Sequence, residues 1–240
     1  VTGWEHKSTS LSIPSSLKIK GKIRKVVAIA PRAFAKDDQG SITDIVLPKY
    51  LVEIGEEAFK GSDVTSILMP NTVKSVGIHA FEDCKKLKEV TLSSSLTLIP
   101  MAAFRGCDAL QELQVPASVT KIADLAFEAS GLKEMELPMG VETVGAGAFY
   151  NCQQLEKLAF PNSLKKLGVC CFLYCNKLKS LTLPDQKPRR MQPSANIDKN
   201  LPDDNSLGIK GPALTDVRSN ASASCPNYAV KDILSMTKEY

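Results

Sequence analysis

The stretch LGVCCFLYCNKL, residues 167–178, sets Cys170, Cys171 and Cys175 within six positions. Three thiols this close could hold a metal ion or form a reactive cluster, so their spacing is the first thing to weigh. Zinc sites take their ligands from C-x-x-C pairs or from Cys and His at short, defined intervals. No C-x-x-C occurs here, and the two histidines, His6 and His79, lie far from any cysteine pair. Neither histidine shares a motif with a serine, cysteine or aspartate. There is no G-x-S-x-G, P-loop or H-E-x-x-H. No catalytic residue, metal ligand or cofactor is expected, and the chain does not read as an enzyme.

The bulk composition is that of a globular protein able to bury a core. The chain has 240 residues, 43% of them hydrophobic and 23% charged. No run of apolar residues is long enough to span a bilayer, so no membrane insertion is expected. The chain opens at Val1 with neither a methionine nor an apolar leader, and a leader is removed on export, so secretion stays open. The net charge of +4 is unevenly placed. Lys7, Lys18, Lys20, Lys22, Arg24, Lys25, Arg32 and Lys36 crowd the N-terminal part, where Glu5 is the only acid before Asp37. Such a patch fits either an anionic partner or a solvated hairpin whose lysines keep a sheet edge from aggregating. No nucleic-acid motif or interleaved aromatic row accompanies it, so no nucleic acid is expected.

Laying the chain against itself reveals a repeat. Phe34, Phe59, Phe81, Phe104, Phe127, Phe149 and Phe172 recur at spacings of 25, 22, 23, 23, 22 and 23, with Phe160 alone off the column. I-G-x-x-A or a variant precedes the phenylalanine, as in IGEEAF (54–59), VGIHAF (76–81) and VGAGAF (144–149). Three residues after it comes Ser62, Cys84, Cys107, Ser130, Cys152 or Cys175. L-x-x-L-x-L-P and x-x-V-x-x-I complete the unit, as in LQELQVPASVTKI (110–122) and LKSLTLP (178–184). L-x-L alternates apolar and polar residues, the mark of a short strand with one buried face. The proline after it, at 48, 70, 116, 138, 161 and 184, cannot donate to the ladder and turns the chain. One unit cannot bury its own apolar face, but stacked units can, at roughly 4.8 Å per strand.

The unit resembles the repeat of the BspA-type leucine-rich-repeat family, which reads like L-x-x-L-x-L-P-x-S-L-x-x-I-G-x-x-A-F-x-x-C. Residues 31–184 match it throughout. The resemblance implies a right-handed leucine-rich-repeat solenoid of α/β type. Short parallel strands would form a curved sheet, with turns or short helices on the outer side and about seven repeats. Residues 1–30 then read as an N-terminal strand and hairpin cap, turning at Lys20-Gly21. Trp4, Leu11, Ile13, Ile19, Ile23 and Val26 would cover the first repeat. Residues 185–240 read as an irregular extension or cap. Within it, 228–240 could form a short amphipathic helix and Asn220-Ala221-Ser222 is a glycosylation sequon.

The repeat also answers the cysteine question. Cys175 falls in one column with Cys84, Cys107 and Cys152, and Cys171 falls in the alanine column with Ala58, Ala80, Ala103, Ala126 and Ala148. Both read as small buried side chains rather than ligands. Parallel rungs hold their Cβ atoms at about 4.8 Å, wide for a disulfide, so free thiols are expected along the column. Cys170 shares its column with Arg32, Glu57, His79, Ala102, Leu125 and Gly147, so the template does not bury it. A bridge from Cys170 to Cys225 would pin the tail to the last repeats. Thr72, Ser95, Ser118 and Ser163 recur after the proline on one rung after another. A catalytic role would not repeat in this way, so backbone hydrogen bonding in the turn is expected.

Function then rests on the outward strand face. Two columns alternate with the buried residues: Asp44, Ser66, Glu89, Glu112, Glu134, Lys157 and Ser180, then Val46, Leu68, Thr91, Gln114, Glu136, Ala159 and Thr182. Like charges in register are mildly destabilising, so Glu89, Glu112 and Glu134 suggest a docking row, with Glu136 beside them and Val46 and Leu68 as an apolar patch. The candidate partner-binding residues are therefore Asp44, Val46, Leu68, Glu89, Glu112, Gln114, Glu134 and Glu136, and the expected partner is a protein or matrix component, with the acidic row suited to a basic one. An ordinary solvated face is the alternative. The family resemblance implies a secreted or bacterial cell-surface module for adhesion or protein interaction. A scaffold or spacer arm presenting another domain is the other reading.

Overall fold

The computed structural model describes residues 9–36 and 41–184. Trp4, Cys225, the sequon and the candidate C-terminal helix lie outside the described residues.

All repeats but one contribute two short strands joined by turns, giving a coil with no helix among the described residues. The L-x-L segments form one set of parallel strands: β1 (Ser10–Ser12), β5 (Asp44–Val46), β7 (Ser66–Leu68), β9 (Glu89–Thr91), β12 (Glu134–Glu136), β14 (Lys157–Ala159) and β16 (Ser180–Thr182). The x-x-I segments form a second set: β4 (Ala28–Ile29), β6 (Glu53–Ile54), β8 (Ser75–Val76), β10 (Leu98–Ile99), β11 (Lys121–Ile122), β13 (Thr143–Val144) and β15 (Lys166–Leu167). Rung-to-rung pairs such as Glu134↔Lys157↔Ser180 and Lys121↔Thr143↔Lys166 are in parallel register. The solenoid therefore has two strand faces where a single sheet was expected.

The outer side is built of turns, and short helices are excluded there by backbone handedness. Two residues per repeat adopt positive φ. One column is Arg32, Glu57, His79, Ala102, Leu125, Gly147 and Cys170; the other is Gly61, Asp83, Gly106, Ala129, Asn151 and Tyr174. A left-handed residue every few positions interrupts right-handed helical propagation. The amides divide their bonds accordingly. Ala58 N donates to Gly55 O within its own turn, whereas Phe59 N donates to Ala80 O and Gly61 N to Glu82 O on the next rung. The glycine that opens the turn is pressed onto the rung beneath it. A Cβ at Gly77 would lie 2.4 Å from the backbone nitrogen of Glu56.

The phenylalanine column is the spine of the core. Phe34, Phe59, Phe81, Phe104, Phe127 and Phe149 are buried and stack ring on ring at 5.2–5.6 Å. Phe172 is only partly buried and packs at a tilt against Phe160, the phenylalanine outside the repeat, at 6.4 Å. Cys84, Cys107, Cys152, Cys171 and Cys175 are buried and free, as the columns require. Four of them have a further role, because each Sγ donates to the phenylalanine carbonyl of the preceding rung. Cys84 donates to Phe59 O (3.0 Å), Cys107 to Phe81 O (3.1 Å), Cys152 to Phe127 O (3.0 Å) and Cys175 to Phe149 O (3.1 Å). Cys170 is disulfide-bonded.

The hydroxyl column also bonds backbone. Thr72 donates to Leu51 O at 2.6 Å, Ser118 to Leu96 O at 2.6 Å and Ser163 to Val141 O at 2.7 Å. One rung departs from this pattern. Ser93 stands where the other repeats have proline and donates to Val73 O at 2.6 Å, which leaves Ser95 to bond Asn71 O at 2.7 Å.

Two expectations need correction. LQELQVP contains no strand, although Leu113 and Val115 are buried while Glu112 and Gln114 are exposed. Alternation reports which side faces the core. It does not report whether the ladder closes. At the N-terminal end, Leu11, Ile13 and Val26 do pack on the first rungs, but Ile19 and Ile23 do not cap anything. They lie on the antiparallel hairpin of β2 (Ser16–Ile19) and β3 (Lys22–Lys25), all of whose residues are exposed. The hairpin does turn at Lys20-Gly21, with φ of 49° and 76°. A two-residue type I′ turn needs positive φ at both central positions.

Candidate interaction surface

The strand face carries every candidate residue, and all of them are exposed. Asp44 and Val46 lie on β5, Leu68 on β7, Glu89 on β9, and Glu134 and Glu136 on β12. Glu112 and Gln114 lie on the strandless stretch between β9 and β12. Val46 and Leu68 are the most open of the apolar members, at 63% and 70%. β5 and β7 are neighbours, so these two side chains share one region of the face. Ser66 is opposite Glu89, and Glu134 is opposite Lys157. Among the described residues, no ion pair joins Glu89, Glu112, Glu134 or Glu136 to a cation.

The turn face treats its acids differently. Glu57 is paired with Arg32 and with Lys60 (3.0 Å), and Lys60 also reaches Glu82 at 2.8 Å. His79 approaches Glu82 at 3.1 Å, and Arg105 joins Glu82 (3.4 Å) to Glu128 (2.9 Å). Alternating charges thus climb from rung to rung. The hydrogen bond from Lys60 holds the Glu57 carboxyl below its ordinary range, and Glu82 raises Lys60 in turn. The sequence hinted at this ladder only through charges recurring at the repeat spacing, which was not enough to pair them. The interior thiols are not all shifted alike, for the hydrogen bond from Cys175 lowers Cys152. Burial pushes the Cys84 thiol up to about 12, and Cys107 and Cys171 are also raised by burial. Among the described residues no His, Cys, Asp or Glu group is arranged to hold a metal ion. Nor is there, among the described residues, a helix long and apolar enough to cross a membrane.

A stacked coil of short parallel strands with a leucine and phenylalanine core is a leucine-rich-repeat solenoid. The chain belongs to the BspA-type leucine-rich-repeat family, matching six copies of its region over residues 27–140 and 97–195. A leucine-rich repeat protein from Bacteroides ovatus is similar, at 29% identity and a TM-score of 0.54. The match covers 73% of this chain and 39% of that one. The T. pallidum leucine rich repeat protein is 29% identical with a TM-score of 0.62, over 71% of this chain and 79% of that one. A leucine rich cell surface protein from Faecalibacterium prausnitzii shares the fold at 19% identity and a TM-score of 0.52, over 73% of this chain and 66% of that one. The chain therefore spans well under half of the B. ovatus protein. No curated protein matches it. Membership implies a protein-interaction or surface repeat protein, from a solenoid family that is generally non-catalytic. BspA-type relatives are surface or secreted bacterial proteins.

Proposed function

We propose that the chain is a non-enzymatic binding module of a secreted or cell-surface protein. Its role is adhesion to a basic protein or matrix partner through the outward strand face. The observation that carries this reading is the contrast in charge pairing between faces. On the turn face Glu57, Glu82 and Glu128 are each held by a cation, whereas Glu89, Glu112, Glu134 and Glu136 stand exposed without an ion pair on the face that also carries the open Val46 and Leu68. Exposed acids recurring along one face repel one another, a cost that a partner's cations would offset. The apolar pair supplies the surface that a contact would dehydrate.

The test compares the native protein with a Glu89→Lys, Glu112→Lys, Glu134→Lys variant. Both are immobilised and exposed to purified matrix proteins and cell-surface extract, and retained material is identified by mass spectrometry. The expected result is a partner held by the native protein, lost by the variant and released by salt. A partner retained equally by both would move the site off this face. Retention by neither would favour a scaffold or spacer arm.

A further inference from the structure

The β2–β3 hairpin stands apart from the solenoid's packing, and its composition is not that of a solvated turn. Leu17, Ile19 and Ile23 are 42%, 52% and 77% exposed, the range of surface polar residues. Each sits directly across the ladder from a cation: Leu17 opposite Arg24, Ile23 opposite Lys18 and Ile19 opposite Lys22. Lys20 occupies the turn, and Lys25 follows with its ammonium 4.4 Å from the Tyr50 ring centre. Among the described residues no ion pair engages Lys18, Lys20, Lys22, Arg24 or Lys25. Residues alternate faces along a strand, so Leu17 and Ile19 lie on one side of the hairpin and Ile23 on the other.

We infer that this hairpin docks peripherally on an anionic lipid surface. A single protein surface would cover one side of the hairpin and leave the other in water. A soluble polyanion would answer the cations but leave the three apolar side chains wet. The headgroup layer of a bilayer surrounds a protruding tip on both sides. Apolar side chains then reach the acyl boundary while the longer lysine and arginine chains extend back to the phosphates. No span is required. This contact uses a different part of the molecule from the strand face and stands or falls independently of it.

The test is co-sedimentation of the whole chain with vesicles of phosphatidylcholine, or of phosphatidylcholine with about an equal part of phosphatidylglycerol. Binding to the anionic vesicles alone, weakened by salt, is expected. A basic residue near an anionic surface contributes about 1 kcal/mol, or roughly fivefold, so Lys18→Gln with Lys22→Gln should weaken partitioning on the order of thirtyfold. Ile19→Ser with Ile23→Ser should also weaken it. All four positions are exposed, so circular dichroism and the melting temperature should match the native protein in both variants. Three results would overturn the inference. One is no binding to anionic vesicles. Another is full binding by the serine variant, which would leave a purely electrostatic contact with any polyanion. The last is self-association in sedimentation velocity that the glutamine variant abolishes, which would make a second copy of this chain the partner.

Discussion

At the scale of single residues, the core works by stacking identical positions. Phe104 lies between Phe81 and Phe127, with ring centres at 5.4 and 5.6 Å. Phe104→Ala should lower unfolding free energy by about 3–5 kcal/mol, read from chemical denaturation. A loss below about 1 kcal/mol would mean that the stack is not core. The cysteine column makes a subtler claim. Cys107 donates to the buried Phe81 carbonyl, and serine occupies the same column at Ser62 and Ser130. Cys107→Ser should therefore be tolerated better than Cys107→Val by about 1 kcal/mol, although valine is closer in polarity to a buried thiol. If valine were the milder change, burial rather than hydrogen bonding would explain the column. The three cysteines of the opening stretch resolve in the same terms. Cys171 and Cys175 belong to buried columns, and Cys170 lies at a left-handed position on the turn face.

At the scale of the element, the outer turn carries strain in a fixed place. Ala129 holds φ of 52° and Gly106 holds φ of 65° one rung earlier in the same column. An L-residue with a Cβ is disfavoured there and glycine is not. Ala129→Gly should leave stability unchanged or raise it by up to about 1 kcal/mol. Gly106→Ala should lower it, because its new Cβ would also approach Asp83 Oδ1 to 2.4 Å. Paired thermal melts test this sign difference, and a stability loss from Ala129→Gly would refute it. The same column explains why G-x-x-A-F was legible as a turn or a helical turn but not as one of the two. Residue types such as Glu57, His79 and Leu125 conceal a left-handed backbone. Only the inter-rung bonding, with alternate amides reaching the next repeat, makes that geometry worthwhile.

At the scale of the whole molecule, stability should be graded along the stack. Each rung contacts its neighbours, so interior rungs are held from both sides and end rungs from one. Hydrogen exchange should show the slowest amides between about Gly77 and Val144. Faster exchange is expected in β1 and β16, and fastest exchange in the β2–β3 hairpin, which shares only its own ladder. Uniform protection across all rungs would indicate a single cooperative unit instead. An ion-pair ladder ties Glu57, Glu82 and Glu128 together on the turn face, while the glutamates of the strand face and the lysines of the hairpin, opposite in sign, have no ion pair among the described residues.

The repeat spacing, the alternation of L-x-L and the proline after it were enough to read a solenoid, its buried columns and its outward face from residue order alone. A periodic chain places the same side chain in the same environment on each rung, so one rung's chemistry can be inferred from all the others. What breaks the period, or depends on contacts between rungs, was decided by tertiary structure. The second strand face, the missing strand at Glu112, the shift of Phe172 onto Phe160 and the charge ladder through Glu82 depend on which backbone and side-chain groups meet between turns. The hairpin shows the same limit. Its apolar residues looked like a cap by type, but a side chain becomes a cap only when the fold carries it over the end of the stack, and Ile19 and Ile23 stay exposed.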